Sequence, residues 1–481
     1  MNRSTSAASQ SILATSSTPM TKGSSSYRPP AWRFCRSSLF PCAPSSTTCT
    51  GNGAAPICQS PTNVASASSC SRNTASRNSR TSNFRVRLME LDNDKYIDIS
   101  GGLPPTDEEE TRNTPLRAGY DYSQYAAAIT GFTGVNLQRI TVSNYSPAVR
   151  IRVGPRGNFK GAVAQLSDHT LILAVCRRVT AAGLFGIHVY TSSDRGDTWT
   201  EVNETELFGK EMSLTALTDD SLLMTVESKA FVEDITQMVY YRSSDRGRTW
   251  RTDTINNPTV PRRLVVEDDG SLLMVRALRS QYLDYLYGDV GVPFAPSPHL
   301  EIARSSDGGD TWSFSEGKVD WDNCRFGETC AVRCADGTLL CALRSNPPGT
   351  HGEGGQVTYL SRSTDQGATW STPWIMGNTA EVQVHLLLLG DGRLLATYTN
   401  YHLPFGIWAI VSSDNGNTWS FDRPIQLAMS ADCYTGWGST VELDNGELVT
   451  CCCVCAYVNE PREPGGAERN VHEIVRWRLP Y

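Results

Sequence analysis

The feature that most constrains this chain is an eight-residue pattern, Ser-x-Asp-x-Gly-x-Thr-Trp, that occurs five times. It runs first from Ser192 through Asp194, Gly196 and Thr198 to Trp199, and its aspartate returns at Asp245, Asp307, Asp365 and Asp414. The steps between these aspartates are 51, 62, 58 and 49 residues, so the pattern is one element of a larger repeat. The residues describe a hairpin turn. Asp accepts hydrogen bonds from its own turn, Gly takes a positive φ, and Trp packs back between neighbouring sheets. All five aspartates serve the same turn, so they read as structural and not as catalytic or metal-binding.

A second repeat interleaves with the first. Asp269-Gly, Asp336-Gly, Asp391-Gly and Asn445-Gly each precede a Leu-rich strand, and Asp168 and Asp220 begin copies that have lost the glycine. Asp-Gly between β-rich runs marks a hairpin. Six such hairpins, five followed by a Trp-ended turn, give six four-stranded units and an all-β fold, a six-bladed β-propeller over residues 141–481. The sixth unit has no Trp turn of its own. The terminal run from Val471 to Leu479 is expected to supply its outer strand, with help from the N-terminal side in closing the ring.

The N-terminal third has a different character. Residues 1–89 hold Lys22, nine arginines and no acid. Residues 1–83 are low-complexity and rich in Ser and Arg. With so little apolar surface they are expected to be a disordered extension. Their composition fits an organelle targeting peptide, a gene-modelling artefact is an alternative, and no clear secretory signal follows Met1, though a secreted protein is not ruled out. Residues 84–140 read as an irregular linker. The formal net charge of −7 is concentrated in the rest of the chain, which argues against a nucleic-acid binder. No apolar run reaches the roughly 18 residues of a membrane span. A monomer is expected. The 15 cysteines lack zinc-ligand spacing and read as buried thiols, and the seven histidines form no metal pattern, so neither metal nor cofactor is expected. Asn144 and Asn203 head glycosylation sequons.

Topology locates the working face. Both turn types lie on one face of the ring, so residues about eight before each Asp-Gly, or eight to ten after it, converge on the other face around the central channel. The strand starts there are Phe159/Lys160, Glu211/Met212, Pro261 to Arg263, Glu328, Gln383 and Trp437. The strand ends are Arg177/Arg178, Glu227, Arg276/Arg279, Arg344 and Asn400/His402. Arginine forks grip carboxylates in a bidentate manner, so this collection suits a small acidic sugar or another carboxylate. The alternative is that these residues pair with one another around the channel.

With these features in place, the sequence resembles the sialidase (neuraminidase) superfamily, and its Trp-ended turns look like that family's Asp-boxes (BNR repeats). The resemblance covers about residues 145–481. It implies an exo-glycoside hydrolase that removes a terminal sialic acid or related acidic sugar from a glycan or glycoconjugate. Such enzymes use three arginines on the substrate carboxylate, a Tyr nucleophile activated by Glu, and an Asp acid/base. Carried over by position, Glu328 matches the family's Glu and Arg344 its second arginine, and these two are the catalytic candidates. Arg178 matches an arginine of the first blade. Elsewhere the chain departs from the pattern. Lys160 stands beside the first arginine position, Trp408 occupies the third, and Trp437 stands where the Tyr belongs, with Tyr434 three residues away. Arg263, Arg325 and Gln383 complete the substrate-binding candidates. A carboxylate pair, Glu328 with Asp320 or Asp322, is a route to hydrolysis without Tyr. The missing positions also support an alternative, a catalytically inactive propeller that binds glycan or protein.

Overall fold

In the computed structural model the described residues are 95–100, 138–140, 148–178, 185–227, 237–256, 259–261, 263–278, 299–321, 326–345, 356–378, 380–401, 404–431, 433, 435–456 and 469–481. The extension read over residues 1–83 lies outside them.

The described residues form six sheets in the order of the repeats, a six-bladed β-propeller. Blade 1 begins with Asn158–Gln165, Leu171–Arg178 and Phe185–Ser192, and blade 2 begins with Lys210–Ala216 and Leu222–Glu227. Blade 3 carries the shortest inner strand, Val265–Val266. The inner pairs of blades 4, 5 and 6 are Phe326–Arg333 with Leu339–Ser345, Glu381–Leu388 with Leu394–Asn400, and Gly436–Glu442 with Leu448–Cys455. Each inner strand runs antiparallel to the second through its Asp-Gly or related turn.

The Trp-ended turns fold as their residues dictate. In the first, Asp194 accepts from the Thr198 N–H at 2.9 Å and the Thr198 hydroxyl at 2.5 Å, and the Trp199 indole N–H donates to the Gly196 carbonyl at 3.0 Å. Gly196 has φ of 92°, a conformation that side-chain-bearing residues rarely adopt. The core is divided between blades. One buried cluster lies at each of the six junctions, such as Leu340, Ala342, Tyr398, Trp408 and Ile410 between blades 4 and 5.

Closure differs from the sequence expectation. The terminal run is the third strand of blade 6, Asn470–Trp477, and not its outer strand. The outer strand is Val149–Arg152, contributed from before blade 1. A blade assembled from both ends of the propeller latches the ring. The segment read as irregular linker also contributes structure. Lys95–Asp98 pairs in parallel with the outer strand of blade 5, Ile425–Met429, and Gln138–Ile140 pairs outside it. Ile97 and Ile99 are buried at the junction of blades 5 and 6, and Arg150 donates to the Ser100 carbonyl at 2.5 Å. The folded body therefore reaches back beyond residue 141.

Candidate active site at the channel mouth

The inner strands share one irregularity. In five of the six blades the pairing between first and second strands slips at the same level, leaving extra residues on the inner strand. The slips fall at Lys160, Glu211–Met212, Gly327–Glu328, Gln383–Val384 and Trp437–Gly438. A bulge of this kind bends the strand and re-aims a side chain. Glu211, Gln383 and Trp437 hold positive φ values of 56°, 58° and 56°. Residues with side chains rarely sit there, so three blades carry the same backbone strain at the same level. In each case the residue lies eight before the Asp or Asn of the turn, which in blade 2 is Asp219, the residue that accepts from the Ser221 N–H as Asp168 and Asp269 do in their turns.

Four of these residues form one network. The Lys160 ammonium pairs with the Glu211 carboxylate and lies 3.6 Å from the centre of the Trp437 ring. The Trp437 indole N–H donates to the same carboxylate at 2.8 Å. Phe159 meets Trp437 edge-on at 5.1 Å. The Gln383 side-chain oxygen accepts from the Thr399 hydroxyl at 2.6 Å and from the Trp437 backbone N–H at 3.4 Å. A cation between a carboxylate and an indole face is attracted by both. Blades 5, 6, 1 and 2 are thus tied together at the mouth.

Blade 4 carries a second arrangement. Arg344 donates to Glu328 at 3.2 Å and, through Nε and Nη2, to the side-chain oxygen of Gln356 at 2.8 and 2.6 Å. Arg344 is buried, while Glu328 keeps 15% of its side chain exposed. Gln356 had no repeat signal in the sequence because it precedes the third strand of its blade. Glu211 was marked by its offset, but only the structure gives it partners.

The other expected residues fall in different places. Arg178 ends the second strand of blade 1 and is half-buried. Arg263 donates to the Leu386 carbonyl at 2.8 Å, inside the channel. Trp408 is 1% exposed and belongs to the core between blades 4 and 5, which corrects its assignment to substrate binding. Leu360, Met376 and Phe421 belong to the same cluster. Arg276 is fully buried and pairs with Glu301 on the adjacent strand, the structural pairing that was the alternative reading. Asp320 accepts from the Thr372 hydroxyl at 2.5 Å. Arg325, Tyr434, Asp322, Arg262, Arg279, His402 and Asn144 lie outside the described residues. The described cysteines are free thiols, all but Cys433 buried. Burial pushes the thiol of Cys176 up to about 12 and that of Cys453 up to about 11. Asn203 spends its side chain on the chain itself, accepting from the Val189 N–H at 2.8 Å and donating to the Thr205 carbonyl at 3.1 Å.

Fold and repeats together define the class: the chain is a six-bladed β-propeller that carries five Trp-ended turns. Residues 285–464 match the family described as a BNR repeat-like domain. No curated protein matches the chain. Among solved structures, a Dyadobacter fermentans protein of unknown function is 18% identical, over 68% of this chain and 98% of that one, with a TM-score of 0.51. A Penicillium chrysogenum alpha-L-arabinanase, solved with arabinobiose, is 14% identical over 68% and 94%, with a TM-score of 0.48. The NanB sialidase of Streptococcus pneumoniae is 12% identical over 70% and 71%, with a TM-score of 0.46. Likeness at this level of identity concerns the fold.

Proposed function

We propose that the chain is a glycoside hydrolase working at the channel mouth, on a terminal acidic sugar of the sialic acid class. The observation that carries this reading is the ring of bulges, which presents two carboxylates, Glu211 and Glu328, at one level of the channel. Each is held by a cation from the protein, Lys160 in one case and Arg344 in the other. Glycoside hydrolysis needs one group to give a proton to the leaving oxygen and another to stabilise or attack the cationic sugar. Glu211 receives an ammonium and an indole N–H, which compensate a negative charge, so it takes the stabilising or nucleophilic role. Glu328, partly exposed and accepting from Arg344, takes the proton-transfer role. Arg344 and Arg178 offer the charge for an acidic substrate. This division of labour needs no Tyr at the position of Trp437.

A second reading rests on Trp437. With Lys160 across its face and its N–H committed to Glu211, the mouth is internally neutralised, as suits a propeller that binds glycan without cleaving it.

The test is sugar release from a panel of fluorogenic glycosides, an α-sialoside and neutral pentosides and hexosides, by the full chain. Glu328→Gln is expected to lower turnover by about 100-fold or more, the usual weight of a general acid or base, with ligand binding retained. Saturable glycan binding without release from any member would support the binding module instead.

A further inference from the structure

Below the mouth, the channel holds an arginine that the network above does not use. Counting back from each turn, Arg263 lies six residues before Asp269. The same register position holds Ala162, Ser213, Cys330, His385 and Ser439 in the other blades. Five small or neutral residues and one long cation share this level. Blade 3 has the shortest inner strand, Val265–Val266, and Arg263 stands just before it.

The side chain passes blade 4 and reaches blade 5. Its Nη1 donates to the Leu386 carbonyl at 2.8 Å, and the Leu386 N–H donates to the Cys330 sulfur at 3.3 Å. Both backbone groups of Leu386 therefore turn away from their own sheet toward the channel. Leu386 lies three residues beyond Gln383, deeper along the inner strand.

A guanidinium carries five N–H donors, and Leu386 accounts for one. Among the described residues no carboxylate pairs with Arg263. Arg263 is half-buried, and desolvation pushes its pKa down from the ordinary arginine range. Two other arginines described at this end of the blades differ. Arg276 has Glu301, and Arg344 has Glu328 and Gln356. A half-buried charge without a counter-charge keeps its N–H groups available, and the fork left over matches a small oxyanion.

We propose that the channel beneath the mouth binds a small free monovalent anion on Arg263, with planar oxyanions such as nitrate and formate fitting its fork best. The site is separate from the carboxylates at the mouth and does not depend on the chain being a hydrolase. The depth of the site favours a free anion over the acid group of a sugar seated above.

The test is thermal unfolding of the full chain, wild type against Arg263→Met. Sodium nitrate or formate is titrated at constant ionic strength against a bulky sulfonate. Wild type is expected to gain about 2 °C over the variant, saturably, as a ligand that binds only the folded state requires. Parallel responses in the two proteins, or none in either, overturn the site. Stabilisation by glucuronate but not by nitrate or formate assigns the charge to a ligand's acid group and also overturns it. Bromide is a second probe that needs no variant. Anomalous scattering beside the Arg263 guanidinium supports the proposal, and its absence there at saturating bromide contradicts it.

Discussion

Glu381 is a buried carboxylate with no cation beside it among the described residues. It opens the inner strand of blade 5, is 8% exposed, and accepts from the backbone N–H of Asn378 at 2.7 Å and from the Asn378 side chain at 3.3 Å. Burial outweighs these bonds and pushes its pKa up to about 7. Tyr398, on the next strand, is a titratable group facing it, and its phenol is raised well above the ordinary range. A carboxyl whose folded pKa is raised contributes stability below its unfolded value, near 4.5, that is lost as pH rises through about 7. Glu381→Gln keeps the acceptor for Asn378 and removes the charge. The variant is expected to be more stable than wild type at pH 8 by about 3 kcal/mol at most, and the difference should vanish near pH 4.5. Denaturant melts at both pH values check this; equal stability at pH 8 contradicts it. Nothing in the sequence marked Glu381, because Gly377, which lies against its carboxylate, is in a loop with no repeat signal. The mouth residues were more legible. Lys160, Glu211, Glu328, Gln383 and Trp437 all stood at one offset from a recognisable turn. Their partners were not legible, since Lys160 with Glu211 and Arg344 with Gln356 are choices of side-chain geometry.

At the scale of strands and turns, the repeats carried most of the architecture. They also explain a set of arginines that the sequence left unread. Arg242, Arg304 and Arg362 each stand one residue before the Ser that opens a Trp-ended turn. Each reaches not its own turn but that of the following blade, at Asp310, the Gln366 carbonyl and the Asn415 carbonyl. Arg476 of blade 6 does the same to Asp197 of blade 1. Blade 5 has Val411 at this position, and blade 6, which follows it, has no such turn. Blade 1 departs from this pattern: Thr191 stands at the position although blade 2 carries a Trp-ended turn. Arg362→Met is expected to cost about 2 kcal/mol, the range for a hydrogen bond from a charged group, seen as a lower denaturant midpoint. An unchanged midpoint would reduce the latch to surface decoration. What the repeats did not reveal was the exchange at the end of the ring. Val149–Arg152 pairs with Asn470–Trp477 across more than three hundred residues, and neither run carries a turn motif that ties it to the other.

For the whole molecule, closure and chemistry meet at the same place. Blade 6, assembled from both ends of the propeller, places Trp437 against Lys160 of blade 1, which in turn pairs with Glu211 of blade 2. The six junction clusters fix the blades, and the bulges aim one residue from each of five inner strands at the channel. The turn aspartates lie at the other end of the blades and serve as an internal control. The most direct measurement is sugar release per molecule of full-length protein, side by side for wild type, Glu328→Gln and Asp365→Asn. A working mouth at blade 4 requires release by wild type, retention in Asp365→Asn, and a fall of about 100-fold or more in Glu328→Gln. Equal release by all three proteins would contradict the assignment of the reaction to this end of the channel.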